Sequence, residues 1–257
     1  MSSIWGVSKL AVFFLLISSL AAVPLTAKPK PQPKEAVQEL RLDPLSSPKV
    51  GVPTQIILLM TALTLLPAIV MSLTPFLRIV VVLHFLRQAL GTQTVPSNQV
   101  LIGLSLFLTC LLVQPLASDI YQSAWIPFEK GQLEMSDAFD KATEPVKAYI
   151  SKYVREKDVE LFLRASGRPN PKSKQDLSLA VLAPAYVLSE LKTSFQIGAV
   201  LFIPFLIVDV VVASLTVSIG MVQLPPVMIS APFKILLFVL VDGWNLVIGS
   251  LLASFRT

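Results

Sequence analysis

Charge is what this chain has least of: Asp, Glu, Lys and Arg make up 14% of its 257 residues, where ordinary soluble domains carry about 25%. With 54% hydrophobic residues, the chain reads as membrane-class material with one soluble insertion. There is one cysteine, Cys110, which excludes an intramolecular disulfide and is expected to pack as a small hydrophobe in its apolar run. The one histidine, His84, lies in a different segment, so neither a Cys-His pair nor a metal ligand set is expected. No Gly-rich phosphate loop ending in Lys-Ser or Lys-Thr occurs, and no Gly-x-Ser-x-Gly elbow, so neither ATP hydrolysis nor a serine hydrolase has residues to work with. The net charge of +5 is spread beside acids and apolar segments rather than gathered among aromatics, which excludes a nucleic-acid surface. The reading is of a non-enzyme with no cofactor.

What is present is a series of apolar helices. Residues 1–27 hold one Lys9, a short apolar core over 10–17 and small residues after it, the pattern of a cleavable signal peptide. A proline-rich stretch over 28–53 reads as a flexible tether. Residues 54–121 form a first apolar hairpin region. Within it, 54–73 carry no charge and suit a transmembrane helix kinked by Pro67, and Pro75 opens a second helix over 76–90 that ends at Gly91. That second helix carries Arg78, His84 and Arg87, so it either lies at an interface with its arginines reaching out or is buried against partner subunits with them paired. A turn-rich stretch leads to a further apolar run over 99–121, broken at Pro115.

Residues 122–176 are a soluble helical insertion; from Trp125 on it carries ten basic and nine acidic residues. Phe139, Ala142, Val146, Tyr149, Ile150 and Tyr153 recur on one helical face, with Pro145 placed in a first turn, and Asp158 is positioned to cap a short helix through Phe162 that stops at Gly167. Residues 177–257 form a second apolar hairpin region, read as helices over 177–195, 197–219 and 227–254. Its turn is 220–226, where Pro225 and Pro226 force one apolar run to end and another to begin. The tip, Met221, Val222, Gln223 and Leu224, leaves backbone unsatisfied by helix bonds, which an apolar surrounding tolerates only against protein or a water-filled cavity. It is the candidate channel gate.

Asp209, Lys234 and Asp242 sit in sequence that otherwise belongs in lipid, where a lone charge costs on the order of 3 kcal/mol at mid-depth. They must face protein or water. Folding the hairpin about 222–223 brings Lys234 opposite a residue within one turn of Asp209, so that pair is available; Glu190, Lys192 and Arg78 are the other charges expected to be buried in pairs. Mutual neutralisation and proton or substrate handling both remain open for the Asp209 and Lys234 pair.

Two long blocks carry a resemblance. Pro184-Ala-Tyr-Val-Leu-Ser-Glu-Leu-Lys-Thr-Ser-Phe-Gln-Ile-Gly198 and Pro232-Phe-Lys-Ile-Leu-Leu-Phe-Val-Leu-Val-Asp-Gly-Trp244 are similar to the signature blocks of the FliP family, the export-gate proteins of bacterial flagella shared with virulence type III secretion systems. Residues 73–80, 87–91 and 98–103 resemble further family blocks. The resemblance implies an all-α membrane protein of helical hairpins that assembles, in several copies (pentamer-like in the family) and with two smaller FliQ- and FliR-like membrane subunits, into an oligomeric export gate. It implies a place in the inner membrane at the flagellar basal body, with unfolded flagellar proteins as cargo. The leader points to the flagellar rather than the virulence branch. In one respect the chain departs from the family: a run of methionines is usual between the glycine and the prolines of the turn, and here Met221-Val222-Gln223 stands in its place. A monomeric secondary transporter for a small solute is the competing reading, but such a protein would tend to show an internal repeat with matching broken helices, which this sequence lacks.

Overall fold

The computed structural model describes residues 52–92, 94–167, 177–221 and 225–255. The expected leader, nearly all of the tether, the Pro169-Asn170-Pro171 cluster, Val222, Gln223, Leu224 and the basic tail at Arg256 lie outside the described residues. Among the described residues the secondary structure is entirely helical: α1 (Val52–Ser72), α2 (Phe76–Ala89), α3 (Asn98–Ile120), a π-helical turn (Tyr121–Trp125), α4 (Ile126–Glu129), α5 (Met135–Tyr153), α6 (Glu156–Ser166), α7 (Leu179–Ser218), α8 (Pro226–Leu240) and α9 (Gly243–Ala253).

Helix α7 organises the rest. Its 40 residues extend about 60 Å at 1.5 Å per residue, twice the thickness of a hydrocarbon core. Pro184 and Pro204 lie inside it, so the two helices expected over 177–195 and 197–219 are one. Each proline removes a single backbone bond, and packing along both halves of the helix outweighs that loss. Two hydrophobic cores share α7. Near its start, Val181, Leu182, Ala185 and Tyr186 pack with Ile150 and Val154 at the end of α5 and with Val159 and Leu163 of α6. Further along, Phe205 joins Ile79, Val82, Leu83, Leu86 and Ala89 of α2, Leu101 of α3, Phe238 of α8, and Leu251 and Phe255 at the chain's far end.

The stretch expected as one helix over 227–254 breaks at Val241 and Asp242, and α8 and α9 meet at 68°. Asp242 takes the left-handed conformation with φ 51°, and no room remains for a side chain at Gly243, where a Cβ would lie 2.2 Å from the Phe238 ring. Helices α1 and α2 also meet at a bend, of 65°, at the Thr74-Pro75 break. Helix α3 passes through Pro115, and the π-helical turn carries it on into α4 as one helical stretch to Glu129.

By length and composition two of these helical stretches, Asn98–Glu129 and Leu179–Ser218, can cross a membrane, and counting each bent pair as one span raises the number to four. The protein is an all-α membrane protein. Hydroxyls within the apolar helices bond back to carbonyls four residues earlier, as at Thr61, Ser72, Ser105, Thr109, Ser194, Ser214 and Ser218, which hides them without a partner helix.

The structure corrects three further expectations. Helix α5 begins at Met135, so Pro145 lies in its interior and Phe139 is exposed while Ile150 is buried; the face read as continuous is divided between solvent and core. Asp158 does not cap α6: the cap position is Arg155, and Asp158 is buried within the first turn because α7 supplies it with partners. Cys110 is exposed, because α3 buries only Leu101, Ser105 and Thr109 within this chain.

Candidate functional site

The hairpin of α7 and α8 is closed by a Schellman-type ending. Gly220 adopts φ 83°, its N–H donates to the Val217 carbonyl, and the Met221 N–H donates to the Thr216 carbonyl at 3.0 Å. Pro225 is extended and Pro226 starts α8, where its missing N–H costs nothing. Met221 at the tip is exposed; the remaining candidate gate residues, Val222, Gln223 and Leu224, lie in the segment outside the described residues.

About 16 Å down α7 from Gly220, Asp209 faces α8. Lys234 is buried at 3% exposure, and its Nζ donates to Asp209 Oδ2 at 2.6 Å and to the Ala89 carbonyl at 3.1 Å. Ser230 Oγ donates to the other carboxylate oxygen at 2.5 Å. One ammonium thus ties α7 to α8 and also caps the carbonyl end of α2, where a cation is favoured by the helix dipole. At this level Gly91 comes within 3.5 Å of the Ala231 Cβ, reckoned from an added Cβ at the glycine.

Nearer the soluble helices, Arg78 of α2 makes a fork to Glu190 of α7: Nε to Oε2 at 2.7 Å and Nη2 to Oε1 at 2.5 Å, with both residues at or below 4% exposure. The second terminal nitrogen donates to the Ser254 carbonyl and hydroxyl, and the guanidinium lies 4.0 Å from the Phe255 ring centre and 5.7 Å from that of Tyr153. Tyr153 OH donates to the Phe255 carbonyl at 2.9 Å. A single arginine therefore joins α2, α7, the end of α5 and the residues following α9. Planar bidentate pairing and ring stacking are properties of guanidinium that an ammonium does not share. Arg78 is paired inside its own chain, not against a partner subunit.

Lys192 pairs with Asp158, whose carboxylate also accepts from Ser189 Oγ at 2.8 Å; that hydroxyl in turn accepts from the Arg155 N–H at 3.0 Å. Burial of the Asp158 carboxyl pushes its pKa up, but the bonds from Lys192 and Ser189 and the charges of Lys192 and Arg155 outweigh burial and leave it below the ordinary value. Asp242 stands apart: it is exposed, and Asn245 Nδ2 donates to it at 3.2 Å. No cluster of three or more potential metal ligands exists among the described residues.

The charges Arg78, Glu190, Lys192, Asp209 and Lys234 were visible in sequence as misplaced in apolar helices. Ser189, Ser230, Ser254, Phe255 and the carbonyl of Ala89 were not, because nothing local in their sequence marks them; their roles arise from residues as far as 176 positions away.

The FliP family model matches residues 59–251. Among curated proteins similar to this chain, the flagellar biosynthetic protein FliP of Bacillus subtilis is 51% identical over 201 residues, covering 78% of this chain and 91% of that protein. The protein of the same name from Pectobacterium carotovorum is 49% identical over 201 residues, 78% of each chain. That of Treponema pallidum is 41% identical over 215 residues, 83% of this chain and 79% of that protein.

Proposed function

The chain belongs to the FliP family, and we propose that it is a core subunit of the flagellar protein export gate, forming part of the channel through which unfolded flagellar proteins leave the cytoplasm. The observation that carries this reading is the extent of likeness to proteins named for flagellar biosynthesis, from the first membrane helix nearly to the end of α9. The geometry supports it. The long helix α7 and the shorter α8 form a hairpin held by a buried ion pair below its tip, a stiff element that can carry a short loop into a pore.

In this proposal several copies surround a central path together with two smaller FliQ- and FliR-like membrane subunits, at the basal body in the inner membrane. The tips at 221–224 form a collar around the path. Methionine is unbranched and adapts to irregular gaps, and an apolar ring can stop ions by excluding water, so the collar seals against ions and yields to a passing chain. The protein acts as a conduit, not as an enzyme, and draws on no cofactor.

A strain lacking this chain is expected to secrete no flagellar proteins and to build no flagella, and expression of the chain is expected to restore both. Normal secretion by the deletion strain would refute the proposal. Native mass measurement of the detergent-extracted complex is expected to show several copies together.

A further inference from the structure

Within the described apolar helices, five charges find an opposite charge in the same chain: Arg78 pairs with Glu190, Lys192 with Asp158, and Lys234 with Asp209. Two do not. Arg87 donates to neutral acceptors, the Asn98 side chain at 2.6 Å and the Pro96 carbonyl at 3.2 Å, and lies beside His84 Nδ1. Asp242 receives only the Asn245 amide and stands at the corner between α8 and α9 among exposed Leu240, Val241, Trp244 and Leu246. (Asp119, the other acid on these helices without a salt bridge, lies at the end of α3 where the chain turns hydrophilic.) A carboxylate surrounded by apolar side chains in a membrane protein is stable only against water or a cation.

Helix α7 serves as a ruler for the heights of these two groups. Arg78 meets Glu190 and Phe85 packs on Gly198, so α2 runs in the same direction as α7. Arg87 is two residues on, about 3 Å higher, level with residue 200 or so. Lys234 meets Asp209 and Phe238 meets Phe205, with ring centres 6.3 Å apart, so α8 runs the opposite way. Asp242 is four residues past Phe238, about 6 Å lower, level with residue 201 or so. Arg87 and Asp242 are thus of opposite sign and share one height along α7. They have separate partners within the chain, Arg87 bonding the start of α3 while Asp242 sits where α8 turns into α9 and bonds Asn245.

Opposite charges at the same height that do not pair within one chain are what a head-to-tail contact between identical copies needs, because rotation about an axis along α7 preserves height. We propose that the exposed corner at Asp242 is an interaction surface for a second copy of this chain, with the Asp242 carboxylate of one copy paired to the Arg87 guanidinium of the next. The apolar residues around Asp242 exclude water from the pair, and the bend at Gly243 presents the carboxylate outward. This rests on the multi-copy reading above and adds the face through which the copies meet.

The test uses the full-length chain purified in detergent, in a Cys110→Ala background so that no other thiol reacts. Arg87→Cys combined with Asp242→Cys is expected, on oxidation, to give a ladder at multiples of the chain mass, while either cysteine alone gives no such ladder. Separately, Asp242→Lys or Arg87→Glu alone is expected to reduce recovered multi-copy complex about tenfold, since like charges then face each other across a dry contact, and the two together are expected to restore it. If the parent protein is multi-copy but no ladder forms and the exchange does not restore assembly, this contact is overturned and the gate reading stands. A cross-link from the cysteine at 242 solely to a chain of another mass also overturns it. A parent protein that is single-copy overturns both.

Discussion

Lys234 and Asp209, 25 positions apart, hold their charged atoms 2.6 Å from each other at the junction of α7, α8 and the carbonyl end of α2. Taking two charges out of water is costly, and the pair is tolerated because each has further bonds, from Ser230 to the carboxylate and from the ammonium to Ala89. The arrangement sets the register of the hairpin. Sliding α8 by one residue along α7 would turn the ammonium away and strand both charges.

Replacing Lys234 by Met is therefore expected to cost about 3–5 kcal/mol of stability, because it leaves the Asp209 carboxylate without its cation. Asp209→Asn with Lys234→Met is expected to cost less than the sum of the two single changes. Chemical denaturation of the four proteins in one detergent decides it; additive losses would show that the residues act separately.

Arg78→Lys is expected to behave as a damaging change despite keeping the charge. It removes the second arm of the fork to Glu190, the bonds to Ser254 and the stacking on Phe255 together. A loss of about 2 kcal/mol is expected, with the residues after α9 loosened first. Protease protection of the chain's end, compared between Arg78→Lys and the parent, checks this: equal protection would exclude Arg78 as the clasp.

The Asp158 carboxyl sits below its ordinary pKa in the folded protein, so it favours the folded state above the unfolded value near 3.9, and that contribution disappears as pH falls through the lower, folded value. Stability is therefore expected to fall on acidification below about pH 4, with the packing of α6 on α7 affected. Asp158→Asn removes this titration, and its stability profile is expected to be flatter across the same range. Parallel profiles for the two proteins would show that Asp158 does not contribute.

At Gly243 a methyl group would lie 2.2 Å from ring atoms of Phe238. Gly243→Ala is expected to cost about 1–3 kcal/mol by overpacking, and Phe238→Leu in the same chain is expected to recover part of it. Thermal unfolding in detergent measures both. A neutral Gly243→Ala would mean that the corner opens freely.

Deleting Met221, Val222 and Gln223 is expected to leave the complex assembled and able to pass large chains, while small ions leak through it. Planar-bilayer conductance of the purified complex tests this, and a deletion variant as tight as the parent would place the seal elsewhere.

Much of this molecule is visible in its residue order because an apolar surrounding constrains the chain at short range. Backbone groups must bond within their own segment, so long uncharged runs become helices and Pro225-Pro226 marks a turn. The charges in those runs identify themselves, since each is too costly to be left in lipid, and the two blocks that resemble family signatures contain Glu190, Lys192, Lys234 and Asp242. Tertiary structure decided what local rules leave undetermined. Whether Pro184 and Pro204 break α7 or are absorbed depends on packing by helices distant in sequence, and here the chain absorbs them. The Asp242-Gly243 pair is a local turn signal in an otherwise apolar run, but only folding lays the Phe238 ring on Gly243 at that corner. The partners of Arg78 come from α7 and the residues after α9, and only folding brings Ser254 and Phe255 to it. A charge announces from sequence alone that it needs a partner, but which atom supplies that partner is fixed by helix packing over distances that no local pattern encodes.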